Sequence, residues 1–268
     1  MILHHRHRLL LQVSAIVAIV SVAKLIVHFL GWEIISINPL FSGIVAANVF
    51  LMGFLLNGVL SDFKESERYP GELGSCLENL AQEVRGIRLA KPDANIGPCL
   101  ALLAQLSQDI LKWFHKKHRT HELLEHVNEL TPHFAEMEKW TQATLVARLK
   151  QEQCNLRRTI VRIHTIRETC FVSSGYLLAD MVTVLLCIGL VFSKIEPFYE
   201  SLFYVSVISY LMVYLLLLIR DLDNPFGYYE RASGEDVSLK PLADASTRLA
   251  HIASRESSDI WASGQAGG

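Results

Sequence analysis

Four long apolar runs, two towards each end of the chain around a charged middle, constrain this fold more than any other feature. Residues 9–30, 39–60, 175–193 and 203–219 are each about as long as a bilayer-crossing helix, which needs roughly 17–25 mostly apolar residues. A soluble chain of 268 residues would have to bury every face of all four runs, which a lipid solvent makes unnecessary. The sequence therefore predicts an all-α membrane protein, with four transmembrane helices arranged as two hairpins and a helical cytoplasmic domain between spans two and three. Composition agrees without deciding the matter. Hydrophobic residues make up 51% of the chain, yet mean hydropathy is only +0.28, because the charged middle dilutes it.

The first run follows His4, His5, Arg6, His7 and Arg8, as the core of a secretion signal would. It is longer than the roughly 7–15 residues of such a core, and no small-x-small cleavage motif follows. The reading is a retained helix, with Trp32 suited to the interfacial belt. Lysine and arginine set the orientation. The loop at 31–38 has neither, and the loop at 194–202 has only Lys194 against Glu196 and Glu200. The middle carries many, among them Lys64, Arg68, Arg85, Lys116, Arg157 and Arg162. The positive-inside rule then places both termini and the middle in the cytoplasm of a multi-pass protein of the plasma or inner membrane.

This divides the chain into a transmembrane hairpin (1–60), a cytoplasmic helical region (61–174), a second hairpin (175–220), a short cytoplasmic segment (221–240) and a disordered tail (241–268). Asn38 and Pro39 suit the cap and first turn of the second span. In the middle, Leu73, Leu77, Leu80, Val84 and Ile87 recur at helical spacing, and a second helix covers 99–115. A third starts at Thr131-Pro132 and meets no proline before Pro197, so it is expected to run on towards span three with Gly175 as its one bend. The polar tail ends in a small, Gly-rich string, which has too little apolar surface to order itself.

Net charge is −2, so no overall field points to nucleic acid as a partner. Five cysteines show no metal or redox spacing and read as small apolar fillers. His115, His118, His121 and His126 cluster, and His121-Glu122 resembles the start of a zinc-protease motif. It fails, because Glu125 stands where that motif needs its second histidine. With Lys112, Lys116, Lys117 and Arg119 beside it, the segment reads as a solvated basic helix end able to touch anionic lipid. No nucleophile–base pair, phosphate loop or dinucleotide fingerprint appears, so no enzyme, cofactor or metal is expected.

Polar residues inside the spans carry two readings each. Lys24 is either an anion attractor or, the favoured reading, a side chain snorkelling to headgroups. Asp180 is expected to pair with an arginine of another helix near the inner face. Asn48 and Asn57 are interhelical hydrogen-bond donors or possible anion contacts.

Span two holds Ala46, Phe50 and Phe54 at every fourth position and so on one helix face. Such a stripe either packs against a neighbouring helix or forms a hydrophobic constriction around an axis. The string Phe50-Leu51-Met52-Gly53-Phe54 resembles the F-x-x-G-F neck motif of bestrophins, and Asn224-Pro225-Phe226-Gly227 is similar to the N-P-F-G signature after their last helix. Two hairpins around a helical middle match as well, most closely those of the smaller bestrophin-like proteins. The resemblance implies a homopentamer in membrane lipid, conducting chloride or another small anion through a pore lined by span two. Ala46, Phe50 and Phe54 would form its neck. Ala46 departs from the bulkier residue usual at that level. The acidic calcium clasp of animal bestrophins is not matched at 228–236, so no such site is expected. The alternative is a non-conducting membrane scaffold that binds a partner through its cytoplasmic helices.

Overall fold

The computed structural model describes residues 2–168, 173–227 and 236–266, with side chains for 9–168, 174–227 and 236–256. Ten helices and two short strands are described: α1 (Ile2–Leu30), β1 (Ile35–Ser36), α2 (Pro39–Ser66), α3 (Tyr69–Ala90), α4 (Gly97–Phe114), α5 (Thr120–Asn128), α6 (Leu130–Met137), α7 (Ala143–Glu168), α8 (Ser173–Val191), β2 (Ser193–Lys194), α9 (Phe198–Leu222) and α10 (Lys240–Ala266). Four stretches, within α1, α2, α8 and α9, are long and apolar enough to cross a bilayer. The chain forms two compact units, one of residues 1–64 and 169–236, the other of 65–168 and 237–268.

In the first unit, α1 closes on Gly31, whose φ of +68° is costly for any residue with a Cβ. The Gly31 and Trp32 N–H groups return to the carbonyls of His28 and Val27, both at 3.0 Å. This pairing satisfies the last turn of the helix. Helix α2 then opens as its sequence predicts: the Asn38 side-chain oxygen accepts the Phe41 N–H at 2.9 Å. The core of the unit joins Met52, Leu55 and Val59 of α2 to Ala179, Leu186 and Leu190 of α8 and Val205, Met212 and Ile219 of α9. Gly189 lets the Phe41 ring in, since a Cβ there would stand 3.0 Å from it. The two short loops meet as a parallel bridge, Ile35 opposite Ser193 and Ser36 opposite Lys194.

Lys24 does not snorkel. It is fully buried, its ammonium 2.6 Å from Glu33 Oε1 and bonded to the Ser193 carbonyl. Glu33 also lies 3.2 Å from His28, whose ring stacks on Phe198 at 3.8 Å. Burial pushes the Glu33 carboxyl up, but the hydrogen bonds and charges of Lys24 and His28 outweigh it and hold the group below the usual carboxylate range. A lysine aimed at headgroups would need an open path. The chain reversal at Gly31 brings a carboxylate within reach first. Asp180 does pair with an arginine of another helix, Arg220 of α9.

The second unit is built on amphipathic helices. Leu73, Leu77, Leu80 and Val84 of α3, Leu103 and Ile110 of α4 and Leu149, Leu156 and Ile160 of α7 are all fully buried. The expected continuous third helix is broken. After Met137 the chain turns, and the Gln142 carbonyl accepts the N–H groups of Leu145 and Val146 to start α7 afresh. Buried Met137 and Val146 on either side show why: both must point into the same core, which a straight helix would not allow. Helix α5 forms where only a basic helix end was expected. The tail is corrected too, since α10 is a helix from Lys240 onwards. Leu242, Ala245 and Leu249 are buried at helical spacing, and Ser246 meets buried Ser107 at 2.8 Å. Arg88 lies 2.7 Å from Glu256, and Arg248 pairs with Glu78.

Arg162 grips Glu65 through two bonds of 2.9 and 3.1 Å. The Tyr69 hydroxyl donates to the same carboxylate. Arg162 first, then Tyr69, hold the Glu65 pKa below its ordinary value, while burial and that carboxylate push Tyr69 up to about 12. Burial likewise raises the Cys76 and Cys99 thiols to about 12, so both stay protonated and unreactive at neutral pH.

Candidate functional site

Helix α2 has two faces of opposite character. At 100° per residue, Asn48, Met52, Leu55 and Val59 lie together, and all are buried in the chain's own core. Almost half a turn away lie Ala46, Phe50, Phe54 and Asn57, all exposed. Of the two rings, Phe50 is 79% and Phe54 60% exposed. Gly43, Ala47 and Gly53 flank them on the exposed side, and a Cβ at Gly43 or Gly53 would meet no atom of the chain within 4 Å. The reading of the stripe as packing against a neighbouring helix of the same chain is thus excluded for both rings.

The two asparagines part company. Asn48 is 2% exposed, and its amide donates to Thr183 Oγ1 at 3.1 Å and reaches Met212 Sδ at 3.7 Å. It is an interhelical donor, and as a possible anion contact it is corrected: it lies on the wrong side of α2. Asn57 stands on the same exposed face as the rings.

The Asn224-Pro225-Phe226-Gly227 segment follows the end of α9. Pro225, Phe226 and Gly227 are buried, Phe226 completely. Just before it, Asp223 returns its N–H to Ile219 at 3.0 Å and accepts the Tyr176 hydroxyl at 2.7 Å. That hydrogen bond ties the first turns of α8 to the end of α9. The geometry is that of a closing element. The run compared with the calcium clasp falls almost wholly outside the described residues.

Sequence reasoning missed the Lys24, Glu33 and His28 cluster. The pairing crosses a helix end, nine residues apart in sequence, and helical periodicity gives no signal for it.

No protein-family model matches the sequence, and no curated protein matches it. Solved structures do match. A bacterial bestrophin homologue from Klebsiella pneumoniae, solved by Zn-SAD phasing, superposes with a TM-score of 0.72 at 18% identity, over 92% of this chain and 98% of its own. A tryptophan-to-alanine variant of that homologue gives 0.75 at 15% identity over 93% and 98%. An isoleucine-to-threonine variant gives 0.73 at 18% identity over 94% and 99%. The chain is an all-α membrane protein of the bestrophin fold.

Proposed function

We propose that this chain is a bestrophin-like anion channel, a homo-oligomer whose copies of α2 surround a central pore. Ala46, Phe50 and Phe54 form a hydrophobic neck, and Asn57 offers an amide N–H to anions passing below it. Five copies are the number that the resemblance to bestrophins implies. Both termini lie in the cytoplasm, lipid surrounds the outer helices, and conduction is passive, with no catalytic step and no nucleic acid involved. The carrying observation is the pair of rings, 79% and 60% exposed, on the face of α2 opposite its packed side.

Exposure of a ring costs nothing in lipid, which is as apolar as leucine. The rest of the face argues for an axis. Asn57 is exposed with no hydrogen-bond partner among the described residues, and an amide facing hydrocarbon costs several kcal/mol. Facing a water-filled vestibule it costs nothing. Between vestibules, rings of benzyl groups restrict ions by dewetting, and small Ala46 leaves the upper level wider.

The test is chloride flux into liposomes carrying the purified protein. Phe50→Ala with Phe54→Ala is expected to raise flux above the parent by removing both rings. Zero flux from parent and double variant alike would favour the non-conducting scaffold.

A further inference from the structure

We propose that Lys64, at the inner end of α2, is the residue that makes the pore prefer anions to cations. This role rests on the channel reading above and names what sorts the ions in it. Lys64 follows Phe54 on the same helix, about 15 Å further along at 1.5 Å per residue.

The exposed face of α2 does not stop at the two benzyl rings. At 100° per residue, Asn57, Ser61 and Lys64 lie within about 40° of the mean direction of Ala46, Phe50 and Phe54. All three are exposed, and none has a hydrogen-bond or ion-pair partner among the described residues. The opposite face stays buried as far as Val59 and Ser66. From the neck inwards, one face thus offers benzyl, benzyl, amide, hydroxyl and ammonium in turn. An amide or hydroxyl left bare to hydrocarbon is costly, and a stripe of them aligned with the rings repeats that cost. Against water the same stripe costs nothing, and its groups can donate to an anion leaving the neck.

Acids beside the stripe would cancel the lysine, and each one on α2 is matched or turned away. Glu65, about 60° from the same mean direction, is held by Arg162 through two bonds of 2.9 and 3.1 Å. The Tyr69 hydroxyl donates to that carboxylate as well. Asp62, about 120° away, is half-buried and has its own partner in the fold. Glu67 lies past Ser66, where α2 ends. Among the described residues, Lys64 is the one charge of α2 that has no counter-charge.

Repeated around an axis, a single lysine becomes a ring of like charge. Such a ring concentrates anions at the mouth and turns cations back, because low-dielectric walls focus its field. The neck restricts ions by dewetting, which is blind to the sign of their charge, so the sign has to be set elsewhere along the path. Snorkelling to inner headgroups is the other use for a lysine at the end of a span. It gives no reason for Asn57 and Ser61 to share its face.

The experiment reads the reversal potential of the full-length protein in a planar bilayer under a potassium chloride gradient. The parent is expected to favour chloride. Lys64→Gln should lower the chloride-to-potassium permeability ratio at least about threefold, and Lys64→Glu should lower it further. All three proteins should melt alike, since Lys64 is exposed and unpaired, so a changed ratio reports on the pore and not on the fold. A parent that favours potassium, or one ratio shared by parent and both variants, overturns the assignment and leaves the pore in place. No current from the parent or from Phe50→Ala with Phe54→Ala overturns the pore itself, and the assignment with it.

Discussion

Among the described residues Lys24 has exchanged water for the Glu33 carboxylate and the Ser193 carbonyl, so its worth depends on both partners staying in place. Removing one member of a buried ion pair strands the other and typically costs about 3–5 kcal/mol, whereas replacing both by neutral groups of similar volume costs far less. Lys24→Met is therefore expected to lower the unfolding free energy in detergent by that order, and adding Glu33→Gln to restore most of the loss. Additive losses in this double-mutant cycle would show that the two side chains do not interact. A second ion pair is exposed and should behave differently. Because Arg162 and Tyr69 depress the Glu65 pKa from 4.5, the stability the pair contributes is complete above pH 4.5. It is lost as pH falls through the lowered value. Solvent screens this pair, so the loss stays below about 1 kcal/mol. The melting temperature should decline more below pH 4.5 in the parent than in Glu65→Gln. At this scale the sequence was partly legible. Depth along the spans pointed Asp180 to an arginine, while Lys24 needed the reversal at Gly31, which no periodicity encodes.

Among the elements, α10 shows best how close packing decides the sign of a substitution. Gly74 sits in α3 where a Cβ would stand 3.0 Å from Ala245 Cβ and 3.4 Å from the Pro241 carbonyl, both on α10. Glycine to alanine inside a helix normally gains up to about 1 kcal/mol, but overpacking costs about 1–3 kcal/mol. At Gly74 the second effect wins, because backbone and an alanine cannot yield as a flexible side chain would. At Gly86, in the same helix with nothing within 4 Å, the first effect stands alone. Gly86→Ala is expected to raise the melting temperature of the purified protein, and Gly74→Ala to lower it. Equal shifts would mean that α10 does not press on α3. The helix itself was legible and overlooked: Pro241 suits a first turn, and Leu242, Ala245 and Leu249 follow at helical spacing. Small and polar residues between them gave the segment the look of a solvated tail. The break at 138–142 left no such trace, since neither proline nor glycine marks it and the shared core alone imposes it.

For the whole molecule the four spans could be read directly, because apolar length is a property of the sequence alone. The number of copies could not, since no residue in one chain records its neighbours' count. If α2 lines an axis, the detergent-solubilised particle has a protein mass near five times the 30.2 kDa chain. Mass photometry giving a monomer or dimer would leave α2 without an axis to line and remove the channel reading. The stripe of Ala46, Phe50 and Phe54 was legible as one face, and its direction came only from the structure, which commits the opposite face to the core. The Lys24 ion pair also bears on how such a molecule is made. A ribosome delivers Lys24 to the bilayer well before Ser193 exists. Glu33 follows by nine residues, so the first helix can be inserted already neutralised, with its lysine waiting for the second half of the chain only to complete its last bond.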